Sequence, residues 1–205
     1  MRIRITIGLV VGGLALGTAA RAQAPAGALE ITGTSTIRDW TCRETGIEST
    51  PTAPTGLADR VRPGPKAVSG VTLTFPVGRI DCGGGAMNDR MRKALGAQRY
   101  PTIALGLTSS EIGRALAAGA APIRLDGQLT IAGQTRPVQT QVTVTESPDH
   151  GVRLQGEQTL LMSDYGVKPP ALLFGMLKAR DLVHVAFSIV LRASTLARLG
   201  LGSAR

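Results

Sequence analysis

Residues Ile123 to Val144 read IRLDGQLTIAGQTRPVQTQVTV, two alternating runs separated by a short break. In the first run Ile123, Leu125, Leu129 and Ile131 share one parity, and Arg124, Asp126, Gln128 and Thr130 the other. In the second, Val138, Val142 and Val144 alternate with Gln139, Gln141 and Thr143. A period of two with polar residues on one side is the pattern of a half-buried β-strand. The link Ala132 to Pro137 holds Gly133, free to take positive φ, and Pro137, which has no N–H to give a ladder and is expected at a strand start. The stretch therefore predicts an antiparallel hairpin with one apolar face. Because an isolated hairpin is marginal in water, that face has to meet more sheet or a ligand.

More sheet is available on both sides. Leu29, Ile31, Gly33, Ser35 and Ile37 alternate with Glu30 and threonines, followed by Asp39-Trp40-Thr41-Cys42. Val71, Leu73, Phe75 and Val77 alternate in a strand running toward Cys82, with Pro76 marking an edge or a bulge. Ile103, Leu105 and Leu107 follow Tyr100-Pro101; Val152, Leu154, Leu160 and Met162 form a later strand, and Val183 to Leu191 the last. These add up to about eight strands, the number at which an antiparallel barrel is just wide enough for side chains or one ligand. Between Gly83-Gly84-Gly85 and Gly96 a short helix near residues 88–96 is expected, capped by Asn88, with Met87, Met91 and Leu95 at four-residue spacing. That stripe suits packing, and methionine also suits surfaces that adapt to varied apolar guests.

Length and charge bound the rest. The chain has 205 residues, a net charge of +9 and two cysteines, which fits one domain of ordinary core size. Residues 1–22 read as a secretory signal: Arg2 and Arg4, an apolar run from Ile5 to Leu16, and Ala20-Arg21-Ala22 as a cleavage site. The run is short for a membrane span. Residues 23–193 are then the folded domain and 194–205 a basic tail, in a protein expected to be periplasmic or secreted after cleavage near Ala22. Cys42 and Cys82 in such a compartment read as a structural disulfide, whose closed loop stabilises by up to about 4 kcal/mol. The basic residues are scattered and aromatics are few, which argues for a solvated surface and against nucleic acid. Transient contact with a membrane surface stays open.

No HExxH, GxSxG or paired-cysteine metal pattern occurs, so neither a catalytic set nor a metal or cofactor is expected. His150 falls in a turn and His184 on the polar parity of the last strand. The proline- and glycine-rich stretch 43–70 reads as an irregular excursion, and Ala171 to Leu177 (ALLFGML) as buried core, a cavity lid or an apolar patch.

Tyr100-Pro101-Thr102-Ile103, the hairpin from Gly127 to Val138, Asp164-Tyr165-Gly166-Val167 and the last alternating strand occur in an order that resembles the YceI-like family of periplasmic polyisoprenoid-binding proteins. Leu105 stands where many members have phenylalanine, the segment MNDRMRKAL replaces the usual region before Tyr100, and Trp40-Thr41-Cys42 with Cys82 resembles a subgroup. The resemblance implies an all-β, lipocalin-like antiparallel barrel whose interior holds an isoprenoid or other long-chain lipid. With strand parity it places Phe75, Leu105, Leu129, Val142, Leu154 and Phe187 on the cavity wall. Trp40, Tyr165, Phe174 and Met176 are expected near an opening, although a lone tryptophan beside a strand equally suits core or barrel plug. The other readings are a ligand-free structural or stress-related protein-interaction module and, more remotely, a hydrolase built on Asp126, Asp164 and Glu157. Oligomeric state is not legible.

Overall fold

The alternating runs do form strands. A computed structural model describes residues 27–45, 70–112, 120–147, 151–172, 176–192 and 194. The signal segment, most of the 43–70 excursion, His150, Phe174 and the tail beyond 194 lie outside these residues. In chain order the strands are β1 (Ala28–Ser35), β2 (Asp39–Thr45), β3 (Thr72–Pro76), β4 (Thr102–Ile112), β5 (Ala121–Ile131), β6 (Gln134–Glu146), β7 (Val152–Leu161), β8 (Ala171–Leu172) and β9 (Leu177–Leu191), with one α-helix, α1 (Gly85–Ala94), between β3 and β4. Eight of the strands make a single curled antiparallel sheet in the order β2-β1-β9-β7-β6-β5-β4-β3, and the two-residue β8 pairs with β9.

The hairpin β5–β6 runs in the register its pattern requires, from Ile131 opposite Gln134 down to Ala121 opposite Val144. Its turn is shorter than the sequence suggests. Only Ala132 and Gly133 lie between the strands, both at positive φ (48° and 77°), as a two-residue hairpin turn demands. Pro137 consequently sits inside β6, opposite Gln128. Pairs in such a hairpin alternate between bonded and non-bonded from the turn outward. Pro137 falls on a non-bonded pair, so its nitrogen faces away from β5 and costs that ladder nothing.

On its far side β6 meets β7 only from Val142–Gly156 to Glu146–Val152. Toward the β5–β6 turn the two strands part, and the sheet wall is split at the level of Pro137. Thr140 Oγ1 donates to the Glu157 carbonyl (3.2 Å) and Arg136 Nε to the Asp164 carbonyl (2.9 Å) across the gap. Tyr165, in the 3-10 turn Met162–Tyr165 that follows β7, is buried against it.

The sheet edges β2 and β3 form no ladder with each other. They are joined by one bridge, in which Arg43 and Asp81 exchange backbone hydrogen bonds of 2.7 and 2.8 Å, and by the expected disulfide Cys42–Cys82, which spans 40 positions. Asn88 does not cap the helix: α1 begins at Gly85, and Asn88 reaches back to accept from the Cys82 N–H (2.6 Å) and donate to the Asp81 carboxylate (2.9 Å). These bonds, with the Gly83 N–H, hold the Asp81 carboxyl below its ordinary pKa. The helix ends in a Schellman motif, Ala97 N–H to Arg92 O and Gly96 N–H to Lys93 O, with Gly96 at φ 61°.

Candidate functional site

The apolar parity of every long strand faces inward, and what it encloses is hollow. A cavity of about 580 Å³ runs through the sheet's concave side, walled by aliphatic and aromatic side chains; single small-molecule sites span about 300 to 1,000 Å³. Its floor is dense. Val71, Leu73, Phe75 and Ile189 form a buried cluster with Leu105, Leu154 and Phe187 packed on it. β3 and β9 are far apart in the sheet order, so this cluster reaches across the interior and closes one end.

The other end is the mouth. There the β1–β2 turn, the β5–β6 turn, the β7–β9 crossing and α1 come together, as follows from antiparallel strands alternating in direction. Helix α1 lies over it with Met87, Met91, Ala94 and Leu95 toward the cavity, spaced three and four apart on one face. None of the helix's residues is buried. Met87, Met91, Ala94 and Leu95 are only half-buried, as an apolar helix face over a hollow is.

Of the residues placed on the wall by parity, Phe75, Leu105, Leu129, Val142, Leu154 and Phe187 all line the cavity. Trp40 and Tyr165, expected near an opening, line it too. Met176 does not: it stands on the rim, 74% exposed, its carbonyl accepting from Thr36 Oγ1 (3.1 Å). Two glycines shape the wall. The Trp40 indole packs over Gly33, where any methyl would overlap the ring, and donates to the Thr34 carbonyl (3.3 Å). The Phe187 ring packs over Gly156, where an added Cβ would come within 2.7 Å of it.

The split between β6 and β7 forms a side groove of about 520 Å³, bordered by Pro137, Val138, Gln158 and Leu160 and stopped by Tyr165. Val138, Gln158, Leu160, Leu161 and Tyr165 border both spaces, so the groove and the cavity are separated by little more than this layer. Burial, reinforced by the Asp164 charge and opposed by Arg136, pushes the Tyr165 hydroxyl pKa up. The ring is therefore a neutral stopper.

Three features were missed by parity alone. Among the described residues, the full charges bordering the cavity are Arg38, Arg90 and Lys178; Arg90 falls three residues after Met87 on the cavity face of α1, a spacing that flags it in retrospect. Glu44 is 1% exposed on the inward parity of β2, opposite Leu29, and neither carboxylate oxygen has a hydrogen-bond partner among the described residues. Burial raises its pKa and the Arg79 charge partly lowers it again. The side groove depends on two strands failing to pair, which no single strand's pattern reveals. His184 is where its parity put it, outside, with Nδ1 3.1 Å from Thr159 Oγ1.

A family model for the YceI-like domain matches residues 23–191. Among solved structures, Burkholderia cenocepacia BcnA aligns with a TM-score of 0.57 at 16% identity, over 80% of this chain and 96% of its own. A polyisoprenoid binding domain from Saccharophagus degradans, implicated in plant cell wall breakdown, aligns with the same score and identity over 78% and 90%. At these identities the likeness is one of fold. No curated protein matches the chain in sequence.

Proposed function

The chain belongs to the YceI-like family, and from that premise we propose that it is an exported, periplasmic binding or carrier protein that holds the tail of an isoprenoid or similar long-chain lipid inside its curled sheet, without catalysing a reaction on it. The observation that carries this reading is the apolar cavity beneath a helix with no buried residues. A protein that needed only stability gains by filling such a space, since each buried methylene is worth about 0.8 kcal/mol. The same increment per methylene of a bound tail supplies affinity without any head-group chemistry. The solved polyisoprenoid binding domain of like fold supports the choice of ligand class. Organic extraction of the protein purified from its native periplasm, followed by mass spectrometry, is expected to return one long-chain lipid in near-stoichiometric amount. An empty protein from a lipid-replete periplasm contradicts the proposal.

An apolar rim around the mouth supports the same reading. The exposed large hydrophobic side chains among the described residues are Ile37, Leu161, Met176 and Leu182. Leu161 pairs directly with Leu182, and Thr36 ties the β1–β2 turn to Met176, so all four stand at the open end. Transient contact of this rim with a bilayer gives a tail a dry route in. Ile37→Ser combined with Met176→Ser is expected to slow lipid uptake from vesicles while leaving affinity for detergent-dispersed lipid intact.

A further inference from the structure

We propose that the mouth of the cavity is a head-group site for an anionic amphiphile, in which Arg38, Arg90 and Lys178 hold a terminal phosphate while the tail occupies the apolar interior; the inference rests on the tail-binding reading and specifies its ligand.

The charge distribution points this way. Among the described residues that border the cavity, the fully charged ones are all cations, with no aspartate or glutamate. The three cations come from three elements: the β1–β2 turn, α1 and the start of β9. They are placed there by specific local bonds. Ser35 Oγ takes the Arg38 N–H (3.2 Å) and donates to the Arg38 carbonyl (2.7 Å), which fixes the turn that carries Arg38. Thr36 binds the turn to β9: its N–H donates to the Lys178 carbonyl (3.1 Å), and its hydroxyl accepts from the Lys178 N–H (3.3 Å). Arg90 lies on the cavity face of α1, its guanidinium 3.7 Å from Met87 Sδ.

None of the three forms an ion pair among the described residues. The ion pairs among the described residues are Glu30–Arg43 and Asp89–Arg92, so Arg92, two residues from Arg90, is paired while Arg90 is not. Lys178 acts on Asp181 through space, while the Asp181 carboxylate takes its hydrogen bonds from Ser163 and the Met162 backbone. Like charges around one low-dielectric opening repel one another and focus a positive potential into it. An arriving anion relieves that repulsion. Guanidinium groups match a phosphate in shape and number of donors, and lysine adds a mobile point charge. A neutral alcohol or quinone head uses none of this.

The test compares geranylgeranyl phosphate with geranylgeraniol, which share one tail. At low salt the intact protein is expected to bind the phosphate about tenfold or more tightly than the alcohol, the scale of a few charge-assisted hydrogen bonds. The variant Arg38→Ala/Arg90→Ala/Lys178→Ala is expected to lose that advantage and keep its affinity for the alcohol, which also certifies its fold. A control of equal charge change away from the cavity, Arg43→Ala/Arg153→Ala/Arg192→Ala, is expected to keep the advantage, and raising the salt to shrink it. Equal affinity of the intact protein for both compounds, or a phosphate preference that survives the triple substitution, overturns the head-group site and leaves tail binding standing. Inorganic phosphate binding as tightly as the ester also overturns it, by making the site one for the free anion. Failure of both compounds to bind overturns tail binding itself, and the head-group site with it.

Discussion

Glu44 carries a carboxylate into a place otherwise given to hydrocarbon. Its folded pKa is raised above the ordinary 4.5 by burial, so the folded state holds the proton more tightly than the unfolded chain does. The contribution of neutral Glu44 is fully present below that ordinary value and is lost as pH rises through the folded pKa. Glu44→Gln is expected to match the parent in stability at acid pH and to exceed it at neutral pH; chemical denaturation at both pH values checks this. Glu44→Leu should gain on the order of 1–3 kcal/mol at neutral pH, the scale of an unsatisfied buried polar group. Trp40 offers a second residue-scale test, because it is the only tryptophan of the chain and sits on the cavity wall over Gly33. Gly33→Val should expel the indole from that shelf, cost about 1–3 kcal/mol as overpacking does, and shift the emission to the red.

Two elements decide how the curled sheet stays shut. At the β2–β3 seam one bridge and the Cys42–Cys82 disulfide stand where a ladder would otherwise run. Replacing both cysteines by serine is expected to cost up to about 4 kcal/mol in the chain-entropy account. It should also speed ligand loss, because the seam then rests on two backbone hydrogen bonds. Equal release rates from the oxidised protein and the double variant would mean that the seam does not control access. At the β6–β7 split the stopper is Tyr165. Tyr165→Ala joins the side groove to the cavity and is expected to raise the off-rate of bound lipid several-fold with little change in strand content, as read by stopped-flow transfer to acceptor vesicles and circular dichroism. These elements also mark where reading the chain reaches its end. Strand parity put Leu129, Val142 and Phe187 on the inner face, because alternation is a local property that survives folding. It misplaced the β5–β6 turn by treating Pro137 as a strand start, when a proline inside a strand is harmless wherever its nitrogen faces an unpaired side. The helix start was misplaced for a related reason: Asn88 satisfies the Cys82 N–H behind the helix and not an N–H of its first turn.

Over the whole molecule, the sheet encloses space that its own side chains do not fill. The alternating face from Ile123 to Val144 already required a partner, and the likeness of the Gly127–Val138 hairpin to the YceI-like pattern supplied the architecture. What no strand pattern contained was the balance between floor and hollow, since the Val71–Leu73–Phe75–Ile189 cluster forms between strands distant in sequence. Nor did it contain the single sign of charge among the described residues that line the cavity, which depends on three separate elements converging. The measurement that bears most directly on the hollow is native mass spectrometry of the protein mixed with geranylgeraniol, for the parent and for Leu129→Trp/Val142→Phe, a pair on the neighbouring strands β5 and β6 whose added bulk enters the cavity. The account predicts one lipid per chain for the parent and a loss of at least tenfold in affinity for the filled variant, whose thermal stability is retained. Undiminished binding by a folded, filled variant would contradict it, because the tail would then lie somewhere other than inside the sheet.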